Sequence, residues 1–363
     1  MKVLSIAALV LSVSACSLTP GMKMDGGEAQ PGVEPVLKEI TPQLLQEERD
    51  ARSKLIDTEA SALFAEPQPY RVGIGDVLSI NLMGQAELPS ISVMMAPIPN
   101  SQADSMVTSG FAVDQDGQVY LPYVGAVKVV GLTMRDLHNE LERQFTKYIR
   151  KPDFTVQISS YRSKRVFIAG EVKSPGVVPI IDIPMTLPEA LGLAGGWTNA
   201  GDPGAVEINR DGKQYVVNIP QMTAHGLNPS RILLQHGDLV RVPSLEESKV
   251  FVIGDVVKPA ALLRPNSRLT LNDALSGVGG IDPSSGNPRQ VYVVRRAADK
   301  KPEVYHLDAA SPVALALAES FELQGKDVVY VDAAPLARWN RIVSLILPTA
   351  QLVVDSKYLN IIK

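Results

Sequence analysis

The pattern of hydrophobic and polar positions changes period several times along this chain of 363 residues, and each change predicts an element. Residues 40–64 set Ile40, Leu44, Leu45, Leu55, Ile56, Leu63 and Phe64 among charged positions, a helical spacing that stops before Pro67 and Pro69. From Tyr70 the run YRVGIGDVLSINL alternates apolar and polar residues, which predicts strand around a Gly-x-Gly-Asp turn. Residues 84–110 read as a polar, methionine-containing loop. FAV, a turn over residues 114–117, QVYLPYVG and AVKVVG then form a hairpin pattern. Thr133, with Asp136 at the capping-box spacing, opens a helix whose buried stripe is Leu137, Leu141, Phe145 and Tyr148; Pro152 ends it, and DFTVQIS reads as a further strand.

Beyond this point the pattern repeats itself. VFIAGEVKSPG begins at Val166 and VFVIGDVVKPA at Val250, with Gly170 and Gly254 84 residues apart, as are Gly195-Gly196 and Gly279-Gly280. Each copy predicts a strand, a Gly-[Glu/Asp]-Val turn, a second strand and a short helix stopped by glycines. The helices follow Thr186 and Thr270, with Glu189 and Asp273 at the capping-box position, and the copies close with HGDLVRVP and GKDVVYVD. Such repetition describes related modules in series, each too small to need an active site of its own.

The segment 336–354, LARWNRIVSLILPTAQLVV, is entered through Pro335. At about 100° per residue, Asn340, Arg341, Ser344, Pro348 and Gln351 share one arc, and Leu336, Trp339, Ile342, Val343, Ile346, Leu347, Ala350 and Val353 cover a wider face. At about 1.5 Å per residue the helix is roughly 28 Å long, close to the thickness of a bilayer core. Charged side chains inside a bilayer need water or partners. Two arrangements satisfy that need: a ring of such helices with Asn340, Arg341, Ser344 and Gln351 toward a hydrated lumen and Trp339 near an interface, or an amphipathic helix packed on a soluble core. Pro348, which has no amide donor, kinks or ends the helix.

Met1 and Lys2 lead into VLSIAALVLSVSA, an export signal rather than a fold element, followed by Cys16, the only cysteine. Val13, Ser14, Ala15 and Cys16 resemble a bacterial lipobox, which implies cleavage before Cys16 and a covalent lipid on it, and Ser17 in place of aspartate favours outer-membrane sorting. Residues 17–34, rich in Gly, Pro and Met, read as an extended tether. An acyl anchor at one end and a spanning segment at the other give a coherent membrane role.

Composition narrows the chemistry. Lys and Arg total 35 against 39 Asp and Glu, mixed throughout, so no nucleic-acid surface is expected. Aromatic residues are only 5%, which argues against extensive sugar-stacking platforms, and 27 glycines with 27 prolines suit many short strands. His138, His225, His236 and His306 lie far apart in sequence and outside any HExxH pattern, and there is no Gly-x-Ser-x-Gly elbow or Walker loop. Gly73 and Gly75 lack the third glycine of a dinucleotide loop; Asp114 and Asp116 lack the other calcium ligands; Glu47-Glu48 and Glu246-Glu247 read as solvated faces. The expectation is no enzyme, no metal and no cofactor.

These residues carry a resemblance. YRVGIGDVL with its hairpin and helix, to about Ser160, resembles the polysaccharide export sequence domain; the blocks from Val166 and Val250 resemble SLBB domains; APLARWNRIVSLILPT resembles the C-terminal helix of Wza-type outer-membrane capsule and exopolysaccharide exporters. The resemblance implies a multidomain α+β lipoprotein: signal peptide 1–15, lipidated arm 16–69, export domain 70–160, SLBB-like domains 161–245 and 246–334, and a transmembrane helix with tail 335–363. It further implies an octamer whose amphipathic C-terminal helices form an α-helical barrel through the outer membrane. The implied cargo is polysaccharide, and the implied partner an inner-membrane polysaccharide co-polymerase, often a tyrosine autokinase. The chain departs from the family after GDVL, where Met83, Gly84, Gln85, Ala86, Glu87 and Leu88 replace an aromatic and an acidic or histidine residue before Pro-Glu-Leu. Passive conduction without a tight site is the expected mechanism. The competing class is a periplasmic lipoprotein that binds polysaccharide or peptidoglycan through its SLBB-like domains, with the C-terminal helix buried on its own domain.

Overall fold

The structure, a computed structural model, describes residues 36–82, 91–94, 107–296 and 302–335. They form two compact units, residues 53–244 and residues 36–52 together with 245–335. The described chain begins with strand β1 (Val36–Glu39) and helix α1 (Pro42–Leu63). Thr41 starts α1, its hydroxyl accepting the Leu44 N–H at 3.2 Å.

The export region contains β2 (Val77–Leu82), β3 (Ile91–Met94), β4 (Val107–Ala112), β5 (Gln118–Leu121), β6 (Gly125–Lys128), α2 (Met134–Phe145) and β7 (Phe154–Ser160). A four-stranded sheet runs β3-β4-β2-β7, and β5 and β6 make a separate hairpin after a turn in which the Asp114 carboxylate accepts the Asp116 and Gln118 N–H groups. The expected capping box opens α2: Thr133 Oγ1 accepts the Asp136 N–H at 3.2 Å, and the Asp136 carboxylate accepts the Thr133 N–H at 3.4 Å. Leu137, Leu141 and Phe145 enter one core with Val119, Val127 and Phe154.

Two expectations fail here. Tyr148 is not part of the buried stripe but 61% exposed, because α2 ends at Phe145 and the chain turns away before Pro152, with Lys151 at a φ of 60°. The supposed loop 84–110 contains β3 and the start of β4, paired from Ile91↔Gly110 to Met94↔Val107. ISVM and VTSG lack a clean apolar alternation, and it is the edge of β2 that recruits them.

The first repeat comprises β8 (Arg165–Gly170), β9 (Gly176–Pro179), α3 (Leu187–Leu193), β10 (Val206–Arg210), β11 (Lys213–Val217), α4 (Ile219–Ala224) and β12 (Leu239–Val242), in sheet order β11-β10-β12-β8-β9. The second comprises β13 (Val250–Gly254), β14 (Ala260–Leu262), α5 (Leu271–Gly277), β15 (Gly286–Arg295), β16 (Glu303–Leu307), α6 (Pro312–Ser320) and β17 (Val328–Ala333). Its order β16-β15-β17-β13-β14 matches the first, with β12 parallel to β8 and β17 parallel to β13. Alternation puts Val166 and Ile168 inward in one copy and Val250 and Val252 in the other, each against its own helices. Gly170 and Gly254 hold the same post: φ is +81° and +93°, and an added Cβ would lie 2.1 Å from the carbonyl oxygen of Val242 or Val331. Only glycine fits that strand crossing.

The second sheet has one strand more. β1 pairs in parallel with β16, from Val36↔Glu303 to Glu39↔His306, and Ile40 and Leu45 are buried in this repeat's core. Part of the stretch 16–69, read from sequence as arm and linker, is thus structural in the second repeat. The edge of β16 needs a backbone partner, which β1 supplies, and the spacing of Ile40, Leu44 and Leu45 aims them at the same core.

Candidate functional site

Three groupings of polar side chains stand out among the described residues. The first is the Gly-x-Gly-Asp turn. Asp76 is fully buried, and its carboxylate accepts the N–H groups of Gly73, Arg162 and Ser163 at 2.8–2.9 Å and the hydroxyls of Tyr70 (2.8 Å) and Ser163 (3.0 Å). The turn at the start of the export region is therefore tied to the chain just before β8. Burial, and then the hydrogen bond to Asp76 and its charge, push the Tyr70 hydroxyl far above the ordinary tyrosine range, so Tyr70 stays a donor. Five donors on one carboxylate satisfy a group that would otherwise be strongly unfavourable inside a protein.

The second place occurs twice. In the first repeat Arg210 grips Asp238 with Nε at 3.0 Å and Nη2 at 2.6 Å, Nη2 also donating to the Leu233 carbonyl at 2.7 Å; Asp238 further accepts the Gln235 N–H. In the second, Arg295 grips Asp327 with Nε at 3.2 Å and Nη2 at 2.8 Å, Nη2 donating to the Glu322 carbonyl and Asp327 accepting the Gln324 N–H. Both aspartates are 1% exposed. Each pair fixes the turn that feeds the last strand of its sheet. Arg295 has an added carboxylate, Glu48 of α1, at 3.3 Å, and its guanidinium lies 4.9 Å from the Tyr305 ring centre. Burial works against its charge, but the Asp327 hydrogen bonds and charge outweigh that and hold Arg295 above its usual range. Glu48, expected on a solvated face, is therefore bound to a buried cation.

The third place is a cleft of about 310 Å³ between residues 65–70 and the first repeat, bordered by Glu66, Lys164, Asp182 and His236. Three of these groups are engaged by neighbours: the Lys164 ammonium lies 4.7 Å over the Tyr70 ring, His236 Nδ1 accepts the Arg165 N–H, and burial and then the Asp182 charge raise the Tyr161 hydroxyl above its ordinary range.

The histidines have local tasks. His138 stacks on Phe154, His225 caps the end of α4, and His306 lies between the Glu39 carboxylate and the Arg289 carbonyl. Among the described residues no group of three or more His, Cys, Asp or Glu side chains is arranged to hold a metal. Among them too, no helix is long and apolar enough to cross a membrane. Cys16, Trp339, Asn340, Arg341, Ser344 and Gln351, the residues singled out in sequence, lie outside the described residues. Asp76, Arg210, Asp238, Arg295 and Asp327 were not singled out. The available signal was the recurrence of Arg at an offset of 85 and of Asp at an offset of 89 between the copies.

The geometry defines a serial scaffold of small β-rich modules with braced turns. Comparison with known proteins agrees. Residues 65–159 match the family described as polysaccharide biosynthesis/export protein, residues 164–242 and 248–331 each match the SLBB domain, and residues 334–355 match the outer-membrane lipoprotein Wza C-terminal domain. The chain belongs to the family of Wza-type outer-membrane polysaccharide export proteins. It is 43% identical over 98% of its length, and 96% of the relative, to the EPS I polysaccharide export outer membrane protein EpsA of Ralstonia nicotianae. It is 24% identical to the capsule polysaccharide export protein BexD of Haemophilus influenzae, covering 78% of this chain and 76% of that one. For the capsule polysaccharide export outer membrane protein CtrA of a serogroup A Neisseria meningitidis the figures are 23%, 76% and 75%.

Proposed function

We propose that this chain is the outer-membrane subunit that passes capsular or exopolysaccharide from the periplasm to the cell surface. The observation that carries the reading is the near-full-length likeness to an exopolysaccharide export outer membrane protein, with the four matched regions in order along the chain. In this reading Cys16 carries lipid, residues 16–69 form the arm, 70–160 the export domain, and 161–245 and 246–334 the two SLBB-like domains. Residues 335–363 cross the outer membrane as one helix of an octameric barrel, with Asn340, Arg341, Ser344 and Gln351 toward its lumen and Trp339 at an interface. An inner-membrane co-polymerase delivers the polymer. The protein supplies a hydrated path and no bond-making chemistry, and the engaged polar groups of the described modules suit a brace better than a reaction site.

The test is an epitope tag after Lys363, probed with antibody in intact and permeabilised cells of a strain whose surface polymer depends on this chain. Labelling of intact cells is the expected result. Labelling only after permeabilisation, with surface polymer still present, overturns the barrel and returns the chain to the class of periplasmic binding lipoproteins.

A further inference from the structure

The second repeat carries apolar surface that its own fold leaves uncovered. Helix α6 reads PVALALAES: Ala314 and Ala318 are buried, yet Val313 is 73% exposed. A helix that is apolar on nearly every side is expected to be covered on nearly every side. Val257, in the turn after β13, is 46% exposed.

These side chains belong to one end of the module. Strands β13, β16 and β17 run the same way and finish there. Beyond them, the Val257 N–H donates to the Gly280 carbonyl, the Asp282 N–H to the Asp255 carbonyl, the Ala309 N–H to the Pro288 carbonyl, and the Ala334 N–H to the Ser285 carbonyl. The segment leading into α6, the turn holding Val257 and the exit of the chain at Pro335 are thus fastened to one stretch, residues 280–288. The region matching the Wza C-terminal domain starts at this same exit. Lys258 and Arg289, both exposed, lie on the two segments beside it.

The first repeat supplies the control. At the position of Val257, 84 residues earlier, stands the exposed Lys173, and the helix corresponding to α6 is the short IPQMTA of α4. The first copy keeps one half-exposed ring at this end, Trp197. The copy from which the terminal segment departs has exchanged lysine for valine and a short polar-containing helix for a longer apolar one.

We propose that this end of the second repeat is a lipid-seating surface: Val257 and Val313 enter the phospholipid headgroup layer on the periplasmic side of the outer membrane, and Lys258 and Arg289 face its phosphates. The inference rests on the reading that residues 335–363 enter that membrane. It places the membrane boundary on the folded module and not only on the terminal helix.

The test uses the full chain in vesicles of phosphatidylethanolamine and phosphatidylglycerol containing a headgroup nitroxide lipid. A bimane fluorophore is attached at Val313→Cys or Val257→Cys, with the exposed Tyr120→Cys of the export region as the comparison site and the parent chain reporting any signal from Cys16. The expected result is loss of roughly half the fluorescence to the nitroxide at 313 and 257, little at 120, and weak quenching of the first two by aqueous iodide. Equal nitroxide quenching at 313 and 120, with free access to iodide, overturns the proposal. Protection of 313 from both quenchers also overturns it, and shows instead that a second copy or residues 336–363 cover the helix. If the chain does not float with vesicles at all, it is the membrane reading itself that fails.

Discussion

The two SLBB repeats are one design used twice, and their differences are more informative than their agreement. Both build five strands in the same spatial order, both cross at a glycine of positive φ, and both lock the final turn by pairing an arginine with a buried aspartate. What they share is what the module needs in order to fold. What they do not share belongs to the neighbours of each copy. The second sheet takes β1 as a sixth strand, its arginine takes Glu48 as a second carboxylate, and its outer helix is apolar. The first has no such additions among the described residues, and its Arg210 depends on Asp238 and one carbonyl.

The largest expected effect breaks this symmetry through charge. Asp238→Ala strands a largely buried Arg210 and should destabilise the first repeat by about 3 kcal/mol, whereas Asp327→Ala should cost less because Glu48 remains beside Arg295. Hydrogen exchange of β10–β12 against β15–β17 in the full chain measures the contrast, and equal losses would refute the role given to Glu48. Next is Ile40→Ala, which removes buried apolar volume from the second core and should cost that repeat about 2–5 kcal/mol. Faster exchange in β15 and β16, with β8–β12 unchanged, is the expected reading. Gly170→Ala and Gly254→Ala test what is common: each should cost about 1–3 kcal/mol or more, and by similar amounts, since each places Cβ against a backbone carbonyl.

The smallest effect is one of pH and concerns the second repeat. The Tyr305 hydrogen bond, and then Lys38 of β1, hold the Glu303 carboxyl below the ordinary glutamate range. A carboxyl depressed in the folded chain contributes stability above its unfolded value of about 4.3 and loses it as pH falls through the lower folded value. Exchange in β1 should therefore accelerate below about pH 4 in the parent chain and show a weaker pH dependence in Glu303→Gln.

Much of this architecture was legible in the sequence because it is written in local signals. The Thr-x-x-Asp caps at Thr133 and Thr270, the αL glycines at 195-196 and 279-280 and the 84-residue offset depend on residues near one another in the chain or on exact recurrence. The sequence hid what depends on distant partners. Nothing near Glu48 announces Arg295, nothing in VLKE announces β16, and ISVM becomes a strand only against β4. Asp76 lay in a motif already noticed, but its five donors come from two stretches about ninety residues apart. Polar residues in a turn motif read as solvated until the fold shows what closes over them.

The pairing of β1 with β16 also bears on how the chain is made. Glu39 and His306, which meet across that pairing, are separated by 267 residues. A chain synthesised N-terminus first offers β1 long before its partner strand exists, so the second repeat closes only after β16 has been made. Contacts of such sequence separation form late and slowly. A chain broken off before β16 would keep Ile40 and Leu45 exposed to proteases, so a contact made for stability doubles as a check on completeness.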